Sequence, residues 1–125
     1  MIGYVTLGTN DLEKSTAFYD SLLAEIGAKR TMEGETFVAW GTGPTAPGIG
    51  VIKPYDGNEA TVGNGMMVAI ACDNPEAVDK LYKKALELGG TCEGPTGPRG
   101  GGFYAGYFRD LDGNKLNAFC MTGDA

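Results

Sequence analysis

Along the first half of the chain, hydrophobic and polar positions alternate as in a strand, then follow helical spacing, and then return to a strand pattern. Positions 2–8 alternate as in a β-strand, and an apolar stripe with helical spacing follows at 12–26, between N-cap candidates at 9–11 and Gly27. Short apolar runs then predict further strands. The predicted elements are a strand at 2–8, a helix at 12–26 and strands at 29–32, 37–41 and 48–53.

The clearest local pattern lies near the end of the chain, at 103–121. Two aromatic-rich runs flank Asp112 and Gly113, a pair that tolerates positive φ, so this stretch predicts a β-hairpin. The return strand has two different faces. Leu116, Ala118 and Cys120 are small and apolar and are expected to pack under a helix, whereas Lys115, Asn117, Phe119 and Met121 have the mixed character of a cavity lining.

A cation-binding loop is the alternative interpretation of this turn. Asp110, Asp112 and Asn114 stand at alternate positions, as they do in an EF-hand. That motif also needs Gly at its sixth position and Glu at its twelfth, where this chain has Lys115 and Met121. The hairpin turn is therefore the preferred interpretation.

The second half repeats the first. Laying Met67–Ile70 on Tyr4–Leu7 also superimposes the predicted helices. It matches Val5 with Val68, Glu13 with Glu76, Tyr19 with Tyr82, Leu23 with Leu86, and Gly27 with Gly90. Slightly different offsets match Phe37 and Ala39 with Phe103 and Ala105, and Gly50 with Asn117. The chain is therefore predicted to be an α+β protein in which a βαβββ module occurs twice, at about 1–55 and about 64–122, within one domain spanning 1–125.

Composition narrows the possible functions. The 125 residues carry a net charge of −6, which argues against nucleic acid and anionic membrane surfaces as partners. Histidine is absent, so the commonest general base and the commonest transition-metal ligand are missing. Three widely spaced cysteines without a Cys-x-x-Cys motif fit a reduced, cytoplasmic setting, and no signal peptide or membrane-spanning run is evident.

Three segments together resemble the vicinal oxygen chelate superfamily, the group of glyoxalase I, bleomycin-resistance proteins, fosfomycin-resistance enzymes and extradiol dioxygenases. They are Tyr4–Tyr19, Gly63–Ile70 and Phe108–Ala118, and the resemblance extends over nearly the whole chain. It implies two modules whose mixed sheets curl around a ligand-binding cup, with the helices outside.

Enzymes of that family hold a divalent metal ion in the cup with His, Gln or Glu from the first and last strand of each module. The resemblance assigns those positions here to Tyr4, Gly50, Met67 and Asn117. Glycine has no side-chain donor, a thioether is too soft for Mg, Mn, Fe(II) or Zn, and neutral Tyr and Asn bind such ions poorly. We therefore expect neither a metal nor another cofactor in this chain.

The candidate site residues follow from strand alternation and from the resemblance. The predicted ligand-binding set is Tyr4, Thr6, Trp40, Met67, Arg99, Tyr107, Asn117 and Phe119, with Ala69 on the same face. Tyr107 falls where antibiotic-modifying relatives place a ligand-contacting tyrosine. Packing inside a closed barrel is the alternative for Met67, Ala69 and Phe119, and strand parity leaves the direction of the Trp40 ring open. No catalytic residue is assigned.

Arg99 lies in a stretch, 94–102, with the composition of a mobile loop. A lid that brings Arg99 to an anionic group of the ligand and a plain flexible connection both fit this composition. The stretch is not a phosphate-binding loop, because no Gly-Lys-Ser/Thr follows it.

The sequence favours a metal-independent protein that binds a small organic molecule, including the sequestration of a toxic or antibiotic compound. The alternatives are a lyase, isomerase or dioxygenase acting through Tyr4, Tyr107, Asp56 or Glu59, and a regulatory module without a ligand. A homodimer is also predicted, since the opening strand at 1–8 has no charge or proline to protect its edge. In relatives, modules from two chains often complete the cups, while a monomer with its own two modules paired is the alternative.

Overall fold

The chain forms the same series of five elements twice. A computed structural model gives the structure of residues 1–123. The first series is β1 (Tyr4–Gly8), α1 (Leu12–Ala24), β2 (Lys29–Glu33), β3 (Phe37–Gly41) and β4 (Gly48–Ile52). The second series is β5 (Val68–Ala71), α2 (Pro75–Glu87), β6 (Thr91–Pro98), β7 (Phe103–Arg109) and β8 (Lys115–Met121).

Each series forms its own four-stranded mixed sheet. The strand orders are β1-β4-β3-β2 and β5-β8-β7-β6, and in each sheet the first strand runs parallel to the last one of its module while the other pairs are antiparallel. The predicted α+β fold with two βαβββ modules is therefore confirmed. The expectation that the opening strand lies at a sheet edge is confirmed as well.

The pairing registers give an exact correspondence between the modules. Thr6 pairs with Gly50 and Ala69 pairs with Asn117, so the match of Gly50 with Asn117 is confirmed. Gly50 pairs onward with Ala39, whereas Asn117 pairs onward with Tyr107. The equivalent of Ala39 is thus Tyr107. The sequence match of Ala39 with Ala105 was wrong because β7 is longer than β3, and identical residues could be aligned two positions out of register.

Both helices begin with a side-chain cap. The Asp11 carboxylate accepts a hydrogen bond from the Lys14 backbone N–H at 3.1 Å, and the Asn74 side chain accepts one from Ala77 N–H at 2.9 Å. These bonds satisfy N–H groups that have no partner within the helix. Among residues 1–123, no helix combines the length and the apolar character needed to cross a membrane.

Each helix covers one face of its own sheet, and the two helices also pack against each other. The side chains between these layers form one buried cluster that spans both modules. It includes Leu7, Phe18, Tyr19, Leu22, Trp40, Val51, Val78, Leu81, Phe108 and Leu116. Fully burying one such aliphatic or aromatic side chain contributes about 1.5–3 kcal/mol, so this shared cluster is the main source of stability and holds the modules together.

The predicted hairpin is confirmed, and its turn is built around Asp110. One oxygen of this buried carboxylate accepts the backbone N–H groups of Asp112 and Asn114, both at 2.9 Å. Gly113 has φ +90°, a conformation that costs glycine little. The Asp110 carboxylate therefore serves to hold the turn.

The same turn makes a polar joint between the modules, formed by Tyr19, Asp110 and Asn114. The Tyr19 hydroxyl of α1 donates to the second Asp110 oxygen at 2.6 Å, and the Asn114 amide donates to the Gly8 carbonyl at 3.0 Å. Burial, followed by the charge of Asp110, raises the pKa of Tyr19 well above its usual value. These bonds fix the second hairpin against β1 and α1 of the first module.

Replacing Tyr19 by Phe tests this joint. The variant keeps the ring but removes the donor, so the buried carboxylate loses one charge-assisted bond and the free energy of unfolding should fall by about 2 kcal/mol. Urea denaturation at pH 7 measures the change. Tyr55→Phe is the control, because Tyr55 is fully exposed; equal stability of the two variants would contradict the role of the joint.

The pH dependence of stability, compared between the wild type and Tyr19→Phe, tests the same joint. Above about pH 10 an unfolded tyrosine loses its proton, whereas folded Tyr19, with its raised pKa, keeps it. The unfolded state then binds fewer protons, so the free energy of unfolding should decrease as pH rises. That decrease should be steeper in the wild type than in Tyr19→Phe, since the two proteins share every other titrating group.

Candidate functional site

The face of the first sheet that is turned away from α1 carries an open, apolar cavity. Tyr4 and Thr6 of β1 lie on this face beside Gly48 and Gly50 of β4, and Ala39 of β3 follows across the next pair. The cavity has a volume of about 1060 Å³. Among its lining residues the only charged one is Lys29, so it suits an apolar ligand better than a charged one.

Glycines make the floor of this cavity. A Cβ atom at Gly48 would lie 3.0 Å from the Trp40 carbonyl oxygen, and one at Gly50 would lie 3.3 Å from the Val38 carbonyl oxygen. Both positions are therefore tight for any other residue. Because neither residue has a side chain, the space above the strand stays open and a flat molecule can approach the backbone closely.

The open face of the second sheet has a different character. Phe103 and Phe119 stack there with ring centroids 5.5 Å apart. The Arg99 guanidinium carbon and the Lys115 ammonium nitrogen each lie 5.5 Å from the centroid of the Tyr107 ring. This face therefore presents aromatic rings together with cations, where the first sheet presents glycines.

Asn117 lies between Ala69 and Tyr107 in this second sheet. Its side chain is buried, and neither the amide oxygen nor the amide nitrogen has a hydrogen-bond partner among residues 1–123. An unpaired buried amide costs free energy, so a group that supplies both a donor and an acceptor, or an anion with a nearby water, would be favourable at this place.

The structure divides the predicted site residues between these two faces. Tyr4 and Thr6 belong to the first sheet, while Ala69, Tyr107, Asn117 and Phe119 belong to the second, and Met67 directly precedes β5 of that sheet. Within the described residues, no strand of one sheet comes within 8 Å of a strand of the other, measured between Cα atoms, because the modules meet through α1 and α2. A single chain thus carries two separate half-cups rather than the one cup expected from the sequence.

Trp40 lies on the helix side of the first sheet. Its indole is only 1% exposed, and its N–H donates to the Asp20 carboxylate of α1 at 2.8 Å. Arg30 also binds Asp20, at 2.6 Å, and this hydrogen bond lowers the pKa of Asp20. Trp40 therefore borders the cavity through its strand, while its ring belongs to the core.

Arg99 follows an edge strand rather than lying in a long loop. Residues 94–98, expected to be mobile, pair with β7 as part of β6, with irregular register on both sides of Gly94. Only a tight turn remains at 99–102, closed by a bond from Arg99 N–H to the Phe103 carbonyl at 2.7 Å. The Arg99 side chain also donates to the Pro95 carbonyl. The stretch is thus more ordered than its Gly- and Pro-rich composition indicated.

Phe37 and Ala39, which line the cavity of the first sheet, were absent from the predicted set. Alternation would have identified them, because the odd-numbered positions of β3 share one face. Lys115 was expected on the cavity face of β8 but was not included among the ligand-binding residues, and the structure brings it to the Tyr107 ring.

A second, more polar cavity of about 660 Å³ lies at the start of α1. Its lining includes two cations, Arg30 and Lys53, together with the carboxylates of Asp11, Glu13 and Asp20. Arg30 is already paired with Asp20 and with Glu33, each at 2.6 Å.

The four positions at which relatives hold a metal ion do not form a suitable donor set. Tyr4 is 71% exposed on β1, Gly50 has no side chain, and Met67 offers only a thioether, so Asn117 supplies the one amide oxygen. One neutral oxygen, one phenol and one thioether do not match the preferences of Mg, Mn, Fe(II) or Zn. Elsewhere in residues 1–123, no three His, Cys, Asp or Glu side chains come together in a way that could hold an ion.

Comparison with protein-family models matches residues 1–118 to the glyoxalase/bleomycin resistance protein/dioxygenase superfamily. The chain belongs to this superfamily. The comparison with curated proteins finds no significant match.

Several solved structures are similar to this chain over nearly its whole length. A glyoxalase/bleomycin resistance protein from Albidiferax ferrireducens T118 is 36% identical, with a TM-score of 0.88, and the match covers 96% of this chain and 98% of that one. The hypothetical protein SA1046 from S. aureus is 26% identical, with a TM-score of 0.74 and coverage of 96% and 92%. Lactoylglutathione lyase from Agrobacterium tumefaciens is 19% identical, with a TM-score of 0.71 and coverage of 96% and 92%, which shows a shared fold alone.

The donor set predicts that this superfamily member gains no stability from divalent metal ions. A site that binds tightly would raise the free energy of unfolding by about 2.7 kcal/mol at a hundredfold excess over its dissociation constant. We expect no change of melting temperature with Mg, Mn, Fe(II), Ni or Zn, and no stoichiometric metal by elemental analysis. One transition metal per chain in purified protein would contradict the prediction.

Proposed function

We propose that the protein binds a flat, partly aromatic organic molecule without using a metal ion, in a cup formed by the first sheet of one chain and the second sheet of another. The glycine-floored cavity carries this proposal. Its volume of about 1060 Å³ is at the upper end of ligand pockets, and it is bordered by Tyr4, Phe37 and Met32. Such a lining favours dispersion and ring stacking over charge recognition.

Exposed apolar residues support completion of the cup by a second copy. Tyr4 is 71%, Met67 41% and Met121 62% exposed in the single chain. They lie on or beside the two open faces, and several exposed apolar residues on an open sheet face are consistent with a binding or association surface. Joining a first half-cup to a second half-cup would cover both at once, and a two-fold axis would produce two such cups per dimer.

The sheet edges support the same assembly. The outer edges are protected: β2 carries Lys29, Arg30 and Glu33, and β6 contains two prolines and two breaks in register. The other two edges, β1 and β5, contain neither charge nor proline. Pairing β1 of one chain beside β5 of the partner would leave only protected edges in contact with solvent.

Binding is favoured over catalysis by what the cavity lacks. The lining contains no carboxylate, and its ionisable side chains are Tyr4 and Lys29. Asp56 and Glu59 are exposed on the connection between the modules and are not part of the lining. General acid–base chemistry needs a group with a suitable pKa within hydrogen-bond reach of the substrate. Sequestration of a toxic or antibiotic compound in a reduced, cytoplasmic setting is the form of this function that we propose.

The molar mass in solution tests the proposed dimer. Light scattering at micromolar concentration should give twice the chain mass of 13.1 kDa. Tyr4→Lys places a charge at the unprotected β1 edge and should shift the protein toward single chains, since burying an unpaired ammonium is unfavourable. Tyr55→Lys, at a fully exposed position on the connection, should remain dimeric. A mass of one chain for the wild type at every concentration would remove the support for a shared cup.

Ligand binding is tested by filling the cavity. A library of neutral fused-ring aromatic compounds, screened by thermal shift and followed by calorimetry, should yield binders, and Ala39→Leu should weaken the best of them by at least about tenfold through steric overlap. Ala24→Leu, at an exposed position of α1, is the size-matched control. Calorimetry is preferred to tryptophan fluorescence because the Trp40 ring is in the core. Unchanged affinity in Ala39→Leu would place binding elsewhere.

A further inference from the structure

We propose that the ligand carries an anionic group, a carboxylate or another oxyanion, which is bound by Arg99 and Lys115 beside Tyr107 and Asn117. This inference rests on the proposed function, because it places the second open face inside the cup. It adds to that function the chemical class of the ligand: a flat apolar body that lies on the glycine floor of one chain and an anionic end held by the partner's second sheet.

Two cations meet on this face although the chain as a whole carries a charge of −6. Arg99 and Lys115 each lie 5.5 Å from the Tyr107 ring centroid, so their charged ends are no more than twice that distance apart. Both side chains are long and flexible, so an anion bound beside Tyr107 lies within reach of each of them. Contact with the ring holds each cation in place while leaving its N–H groups able to donate hydrogen bonds.

Within residues 1–123, neither cation forms an ion pair with a carboxylate. The ion pairs there are formed by Arg30 and Arg109. Glu93, which lies in β6 next to Gly94, is held by Arg109 at 2.6 Å. Because the Arg109–Glu93 pair is neutral as a whole, Arg99 and Lys115 leave an excess of positive charge on this face. An anionic ligand would balance that charge.

Asn117 gives independent support. It stands on the same strand face as Lys115, two residues along β8, and next to Tyr107 in register. The side chain is 1% exposed, and both of its polar atoms lack a partner. We infer that the amide N–H₂ donates to the anionic group once the long cationic side chains have moved from the ring toward the ligand.

Among the described residues, the first half-cup has one charged lining residue, Lys29, against the two cations on the second face. The strand positions equivalent to Lys115 and Asn117 are Gly48 and Gly50, which have no side chain to bind an anion. The charged end of the ligand is thereby oriented toward the second sheet, and its apolar end toward the first.

A matched pair of probes tests the inference on the dimeric full-length protein. 2-Naphthoate should bind more tightly than neutral 2-naphthamide by calorimetry, and its affinity should fall as salt is raised from low to high concentration. Arg99→Met and Lys115→Met should each weaken naphthoate binding about tenfold and leave naphthamide binding unchanged. Lys83→Met, on the exposed side of α2, is the matched control and should affect neither probe.

The location is tested by NMR of ¹⁵N-labelled protein. Naphthoate should shift the side-chain amide resonances of Asn117 in the wild type. Equal affinity for the two probes, or unchanged naphthoate binding in both cation variants, overturns the anion site and leaves the apolar cup in place. Failure of both probes to bind a protein that has the mass of a single chain overturns the proposed function and this inference together.

Discussion

The bond between Tyr19 and Asp110 determines how the two modules of this protein face each other. It joins residues 91 positions apart and is buried at both ends. Asp110 also holds the turn of the second hairpin, and Asn114 of that turn reaches back to the Gly8 carbonyl. A single carboxylate thus shapes the hairpin and docks it on the first module. Without that docking, the helices could still cover their own sheets, but their mutual orientation would depend on apolar contacts and on the exposed bond from Asn10 N–H to the Asp112 carboxylate.

This orientation decides which surfaces remain free. Because the modules meet through α1 and α2, both sheets turn their other faces outward, and the β1 and β5 edges stay unpaired within the chain. A closed cup from the two modules of one chain would need those edges side by side. The buried joint favours the open arrangement, and the proposed cup shared between two chains is compatible with this packing of the single chain.

Local features of the fold were predictable because they depend on neighbouring residues. Alternating positions identified the strands. N-cap candidates and apolar stripes identified the helices, and Asp112 with Gly113 identified the hairpin. Three features depend on distant partners and were missed or left open. The Trp40 ring is fixed by Asp20 of the helix, the stretch before Arg99 is ordered by pairing with β7, and the division of the site into half-cups follows from the Tyr19–Asp110 bond. No pattern within one segment contains this information.

The two modules share one backbone topology but differ in the side chains on their open faces. At three equivalent positions the first sheet has the smaller residue: Gly48 against Lys115, Gly50 against Asn117, and Ala39 against Tyr107. Each exchange removes side-chain volume from one half-cup and adds a polar or cationic group to the other. Two identical half-cups would compete for the same part of a ligand, whereas these differ in a complementary way. In the proposed shared cup, a repeat whose halves differ in this manner would hold one molecule by its shape at one end and by its charge at the other.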